Sequence, residues 1–246
     1  MINIEVLYPE VANLYGDAFN PQVLYRSYPD SINIIETHLN EKPAFASGNA
    51  DFVFMGAMPE KYQELAISLL KPYRDAFSDY LETGRPALFT GNAFEIMGDY
   101  IEKDSGEHIE TLGIYRGYAK RDMVNRYNSM YHGVFVDDKF GAGEIPIVGF
   151  KSQFTKLHGI SDDAHLFKTI KERDQENSSI DEGIRVNNFM GTYLNGPLLI
   201  MNPGFTKYVL GILGIENPHV IYEDVMEYAY QKRLEDALNP STSFAV

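Results

Sequence analysis

Pro86-Ala87-Leu88-Phe89-Thr90-Gly91-Asn92-Ala93-Phe94-Glu95-Ile96-Met97-Gly98 is the stretch on which the fold turns. Pro86 to Phe89 is a short apolar run of the kind that forms a strand buried on both faces. Gly91 marks the turn, and the residues after it predict a helix from Asn92 to Tyr100. Upstream, Ile2 to Tyr8, Ser31 to Glu36 and Asp51 to Met55 read as three more short strands. Between the third of these and Pro86, Tyr62, Leu65, Ala66, Leu69, Leu70, Tyr73, Phe77, Tyr80 and Leu81 recur at helical spacing, and Gly84 closes the helix. Strands alternating with helices in this way predict a parallel, doubly wound sheet whose ligand crevice lies at the carboxyl ends of its strands.

Downstream the pattern changes. Gly113 to Lys120, Ser129 to Val136, Ile145 to Phe154 and Arg185 to Leu194 are longer and partly alternating, which predicts an antiparallel extension of the sheet. Ser161 to Gly183 is polar and reads as an exposed helix and loop. Two helices follow, Pro203 to Leu213 and about Val220 to Leu238, and the tail from Asn239 to Val246 is expected to fray.

With 246 residues, 44% of them hydrophobic, the chain suits one large α/β domain spanning 1–246. No apolar run approaches the ~20 residues that span a bilayer, and Met1-Ile2-Asn3-Ile4-Glu5 lacks the basic start of a signal peptide, so a cytoplasmic protein is expected. A net charge of −14, with no basic stripe to offset it, disfavours nucleic acid. The count of cysteines is zero, which rules out disulfides, cysteine-held zinc and any thiol nucleophile.

Local readings come next. Gly16-Asp17 is an ordinary turn and helix N-cap, and Gly196-Pro197 an ordinary strand exit. His158, Asp162, Asp163 and His165 carry metal-binding atoms but lie in a polar loop without helical i, i+4 histidine spacing, so a solvated surface and no metal are expected. Glu95 and Asp99, four apart, read as solvated carboxylates. No Walker loop or Rossmann fingerprint is present, and no cofactor is expected. Tyr115, Tyr118, Tyr127 and Tyr131 are candidates for an aromatic surface that meets a partner. Arg126 reads locally as a surface arginine facing one of 35 acidic residues.

Longer motifs go further. Leu7-Tyr8-Pro9-Glu10 with Asn13-Leu14-Tyr15-Gly16-Asp17 and Asn20, the turn around Gly91, and Gly191-Thr192-Tyr193-Leu194-Asn195-Gly196-Pro197-Leu198-Leu199 with Asn202-Pro203 together resemble the CobB/CobQ-type class I glutamine amidotransferases. The resemblance covers about residues 1–213, leaving a C-terminal helix and tail over 214–246, and is nearest the glutaminase subunits of lipid II isoglutaminyl synthase. It implies a flavodoxin-like three-layer α/β/α fold with a mixed, mostly parallel sheet, and kinship with cell-wall or cobalamin pathways. It also implies where an active site would lie. Aligned on the family's Tyr-Gln-Leu-Leu-Gly, Phe94 to Gly98 match in character and the nucleophilic cysteine's position falls on Gly91, or on Thr90 with a one-residue shift. The family's Gly-Thr-Tyr-Leu-His-Gly-Pro has Asn195 where the histidine stands, and asparagine accepts no proton at neutral pH. The oxyanion loop reads Met55-Gly56-Ala57-Met58-Pro59, and Gly149-Phe150-Lys151-Ser152-Gln153 stands where relatives tend to have Gly-Phe-Glu-Asn-His.

The resemblance thus implies no catalytic residue at Gly91, Thr90 or Asn195, and ligand-contact candidates at Gly56, Met58, Phe94, Arg126 and Tyr193. Two expectations follow. One is a non-catalytic subunit docked on a Mur-ligase-like synthetase or another protein; the other is an active amidotransferase-like or other hydrolase that uses the same crevice with non-standard residues.

Overall fold

The computed structural model describes residues 1–137, 143–173 and 181–245. The first half builds β1 (Ile2–Leu7), β2 (Ile32–Thr37), β3 (Phe52–Met55) and β4 (Ala87–Thr90), with helices α1 (Phe19–Ser27), α2 (Glu60–Leu70) and α3 (Arg74–Glu82) between them. The helix expected from Tyr62 to Leu81 is broken by a 3-10 turn over Lys71–Tyr73, because Pro72 has no backbone N–H to continue the ladder. Gly84, at φ +82°, ends it as foreseen.

The second half adds β5 (Tyr100–Glu102), β6 (His108–Glu110), β7 (Tyr118–Arg121), β8 (Tyr127–Asp137), β9 (Gly143–Gln153), β10 (Thr155–His158) and β11 (Lys168–Glu172). β12 (Ile184–Val186), β13 (Phe189–Thr192), β14 (Leu194–Asn195), α4 (Leu198–Met201), α5 (Pro203–Ile212) and α6 (Glu223–Leu238) complete the chain.

The main sheet has the order β12-β13-β4-β3-β1-β2, parallel except for β12 at its edge. Its strands alternate strictly. Leu7, Val53, Met55, Ala87, Phe89 and Phe189 face a core shared with α2 and α3, whereas Ile4, Val6, Phe52, Phe54, Leu88 and Met190 face one shared with α1, α4 and α5. Helices on both faces make the three layers, and burial on both faces explains why these strands read as continuous apolar runs. The remaining strands form two four-stranded sheets, β10-β7-β5-β6 and the antiparallel β11-β8-β9-β14.

Three expectations are corrected. Asn92 to Tyr100 is not an α-helix: Gly91–Met97 is a 3-10 segment, Gly98 is extended, and Tyr100 already belongs to β5. Ala93, Phe94, Glu95, Ile96 and Met97 are all buried, so the segment has no solvated face for a surface helix to present. Ser161 to Gly183 contains only a 3-10 turn at Asp162–Ala164 and then β11, which pairs with β8; 174–180 lie outside the described residues. The tail is tied down as far as Ala245: Phe244 is buried, its carbonyl accepts from the Met130 amide, and Lys171 Nζ sits 4.3 Å from its ring centre.

Candidate functional site

The carboxyl ends of β1, β3, β4 and β13 meet around Gly91. This residue follows β4 directly and holds φ +59°, the left-handed region that glycine enters without a Cβ penalty. Any side chain there would collide. A Cβ on Gly91 would overlap that of Ala57 outright and lie 2.9 Å from Asn195 Oδ1 and 3.2 Å from Ala57 Cα.

Asp17 lies behind this point, with 0% exposure, accepting from the Ala57 amide (3.0 Å) and the Thr90 hydroxyl (3.0 Å). Burial pushes its carboxyl up to about 7, with those two hydrogen bonds pulling the other way. The loop after β3 is fixed from its other side by Asn92, whose side chain accepts from the Met58 amide (3.0 Å) and donates to the Met58 carbonyl (2.7 Å). The Ala57 and Met58 amides, which lie in the segment matching the oxyanion loop, therefore already have acceptors within the protein. A developing oxyanion needs donors that are free to meet it.

In front of Gly91 lies a crevice of about 210 Å³, lined by Met58, Gly91, Asn92, Glu95, Arg126 and Asn195 among others. Tyr193 and Gln153 also line it. Asn195 is 2% exposed; its amide nitrogen donates to the Ser152 carbonyl (3.2 Å), and its Oδ1 has no hydrogen-bond partner. Its strand is held by a largely buried ion triad. Lys151 Nζ meets Glu172 (2.7 Å) and Glu182 (2.6 Å), and Glu182 also accepts from the Thr192 hydroxyl and the Tyr193 amide. Burial works against the charge on Lys151, but the two carboxylates outweigh it and hold its pKa above the usual lysine value.

The residues foreseen from sequence divide by position. Gly91, Asn195, Met58, Arg126 and Tyr193 come together at the crevice. Thr90 is fully buried behind it, and Phe94 faces the core with its ring centre 4.6 Å from that of Tyr193. Gly56 is a packing position: a Cβ there would lie 2.5 Å from the Ala12 carbonyl oxygen and 2.6 Å from Asp17 Cβ. The Arg126 guanidinium stacks over Phe154 at 4.4 Å. Among the described residues no group of three metal-binding side chains gathers; His158 instead stacks on Tyr118 and His165 meets the Gly183 carbonyl. The aromatic surface expected of Tyr115, Tyr118, Tyr127 and Tyr131 does not form, because Tyr115 and Tyr131 are buried in the two cores.

The expectation that Glu95 is a solvated carboxylate is corrected. Glu95 is 1% exposed at the crevice, taking hydrogen bonds from Gln63 (2.7 Å) and from the Thr155 hydroxyl, while Asp99 is exposed as expected. Burial raises the Glu95 carboxyl above its ordinary range, the Thr155 and Gln63 bonds offsetting part of that. The available signal was its place directly among Phe94, Ile96 and Met97.

No family profile matches the chain. Among the curated proteins it is similar to by sequence are the GatD subunits of two glutamine-hydrolyzing lipid II isoglutaminyl synthases. That of Staphylococcus aureus is 28% identical over 200 residues, 80% of this chain and 78% of the relative. That of Streptococcus pneumoniae is 23% identical over 210 residues, 82% and 76%. By structure it resembles PurLQS from Thermotoga maritima (TM-score 0.55, 14% identity, 95% of this chain and 99% of that one). It also resembles a glutamine amidotransferase (0.54, 13%, 86% and 99%) and the glutaminase domain of Trypanosoma brucei CTPS with bound acivicin (0.54, 9%, 88% and 95%). The homologues are thus GatD glutaminase subunits, and the fold is that of the class I glutamine amidotransferases. Among the described residues no helix is long and apolar enough to cross a membrane.

Proposed function

We propose that this GatD homologue is a non-catalytic subunit of CobB/CobQ type: a single domain that has lost glutamine hydrolysis and acts through a protein partner in the cytoplasm. The observation that carries the reading is the collision at residue 91. A nucleophile is a side chain, and the turn after β4 holds none and has no space for one. Asn195 across from it supplies no base, and the Ala57 and Met58 amides are already bonded within the protein. The relatives are subunits by name, so a protein partner is the natural extension, with a Mur-ligase-like synthetase the first candidate. The purified chain should release no ammonia from glutamine above background, with or without a synthetase added. Native mass spectrometry of the complex from its own cells should recover a partner subunit; ammonia release at a rate proportional to enzyme would end the reading.

One observation favours a second reading, an enzyme of altered chemistry. The Thr90 hydroxyl donates to Asp17, a carboxyl with a pKa of about 7, which is a nucleophile and a base at hydrogen-bond distance. Full burial of both behind Gly91 argues against it. Turnover of any ester or amide that Thr90→Ala abolishes would establish it.

A further inference from the structure

The polar atoms of the crevice are unevenly matched. Among the described residues Asn195 Oδ1 is buried without a partner, as are Gln153 Oε1 and the Tyr193 hydroxyl, all on residues that line the same 210 Å³; the first two only accept, and the hydroxyl has a single proton to give. A third acceptor faces them. Glu95 takes one hydrogen bond at each oxygen, from Thr155 and Gln63, and a carboxylate has about four lone-pair sites, so capacity remains. No cation among the described residues pairs with it directly. Arg121 gives one N–H to Glu64 (2.8 Å) and another to Gln63 (2.8 Å); it is hydrogen-bonded to Glu95 only through that glutamine, its charge acts on the carboxyl at longer range, and its Nε is unpartnered. Buried acceptors left unmet are costly, a charged one most of all, so the excess of acceptors over donors describes what is absent from the crevice.

The geometry points to a binding site for a small ligand whose inner end is a primary ammonium or guanidinium, received by Glu95, Asn195 Oδ1 and Gln153 Oε1. An ammonium brings three donors and a charge, a guanidinium five, and a charge-assisted bond to a buried carboxylate is about twice as strong as a neutral one. An amide such as that of glutamine brings two donors and no charge, and its own carbonyl would add an acceptor to a crevice that already has too many. At the mouth Arg126 stacks on Phe154 with no carboxylate partner among the described residues, which suits an anionic outer end. The ligand is then a zwitterion of the size and charge order of a basic amino acid. The volume agrees, being below the ~300–1,000 Å³ of drug-sized sites. The inference rests on the reading that the crevice does not hydrolyse glutamine.

A bound cation also changes the state of Glu95. Burial favours its neutral form, against the hydrogen bonds of Thr155 and Gln63, the neighbouring Tyr193 hydroxyl and the charge of Arg121 behind Gln63, with Tyr115 also close by. A cation in contact favours the carboxylate, so binding drives a proton out into solvent. The test is isothermal titration calorimetry of the full chain with lysine, ornithine and arginine, against glutamine and norleucine, in two buffers of different ionisation enthalpy. Expected are binding of at least one basic amino acid, at least about tenfold tighter than glutamine, and net proton release. Glu95→Gln should weaken that binding at least about tenfold and abolish the release; Asn195→Leu, which keeps the branched shape and removes the acceptor, should weaken it as well. Glutamine or norleucine binding as tightly as the basic amino acids overturns the inference, as does no binding by any of the three or binding indifferent to both substitutions. Ammonia release from glutamine is assayed separately: its appearance sinks the non-catalytic reading, whereas silence in both assays sinks only the ligand assignment.

Discussion

Adding a single methyl group at residue 91 tests the geometry of the site most directly. Gly91→Ala places a Cβ on a backbone with φ +59°, which costs about 1–2 kcal/mol for an L-residue. It also drives that carbon into the Ala57 methyl, where carbon pairs ordinarily rest about 3.5–4.0 Å apart, and overpacking of this kind costs about 1–3 kcal/mol. The sum is about 2–5 kcal/mol of lost stability. Ala57→Gly alone loses a buried methyl and gains backbone freedom in the unfolded chain, about 1–2 kcal/mol together. In the double variant the overlap with the Ala57 methyl is gone while the φ strain and the close contact with Asn195 Oδ1 stay, so its loss should fall short of the sum of the singles by about 1–3 kcal/mol. Urea unfolding of the four proteins at one pH, with the slopes compared to confirm that the denatured states match, reads this coupling. A Gly91→Ala protein within about 0.5 kcal/mol of the parent, or strictly additive losses, would refute the claim that Ala57 closes the position.

Other outcomes follow from the same neighbourhood. Asp17 has a folded pKa of about 7 against 3.8, so the native state holds its proton longer than the unfolded chain; its contribution is fully present below about pH 4 and is lost as pH rises to about 7. Asp17→Asn removes that slope, and the variant should gain on the parent by up to about 4 kcal/mol between pH 4 and 8, three units at 1.36 each; a difference in urea midpoint that is flat with pH contradicts it. Lys151→Met leaves the largely buried Glu172 and the buried Glu182 without their cation and should cost about 3–5 kcal/mol; a thermal melt unchanged from the parent would discredit the triad. The triple variant Gly91→Cys, Ala57→Gly, Asn195→His supplies thiol, space and base, yet should remain at least about a hundredfold below an active relative in ammonia release, because residues 57 and 58 still donate to Asp17 and Asn92.

How much of this was legible depended on whether burial leaves a pattern along the chain. β1, β3 and β4 are buried on both faces, so their apolar runs announce them, and the α2 and α3 stripes do the same at helical spacing. Gly91 and Asn195 could be brought together because the motifs around them resemble a family whose site joins those positions. The Ala57 contact could not, since residues 57 and 91 meet only through the pairing of β3 with β4 and neither lies in a periodic run. Glu95 was misread because a carboxylate in a nominal helix register looks solvated, and what buries it, Gln63 and Thr155, comes from opposite directions in sequence. The tail misled for the reverse reason: Phe244 is the one aromatic residue at the end of a short polar stretch, and one anchored ring suffices to dock a short segment.

The strand order has a kinetic corollary. β13 inserts beside β4, pairing Phe189 with Ala87, although about a hundred residues separate them, so a large loop must close before this part of the sheet gains anything from the contact. Both walls of the crevice wait on that event, since β4 leads into Gly91 and β13 into Asn195. Until it happens Ala87–Thr90 offers an unpaired, wholly apolar-flanked edge, the kind of surface on which partly folded chains stick to one another. Refolding should therefore be slow and concentration-limited in yield, and substitutions in β13 should lower the recovery of folded protein by leaving β4 open for longer.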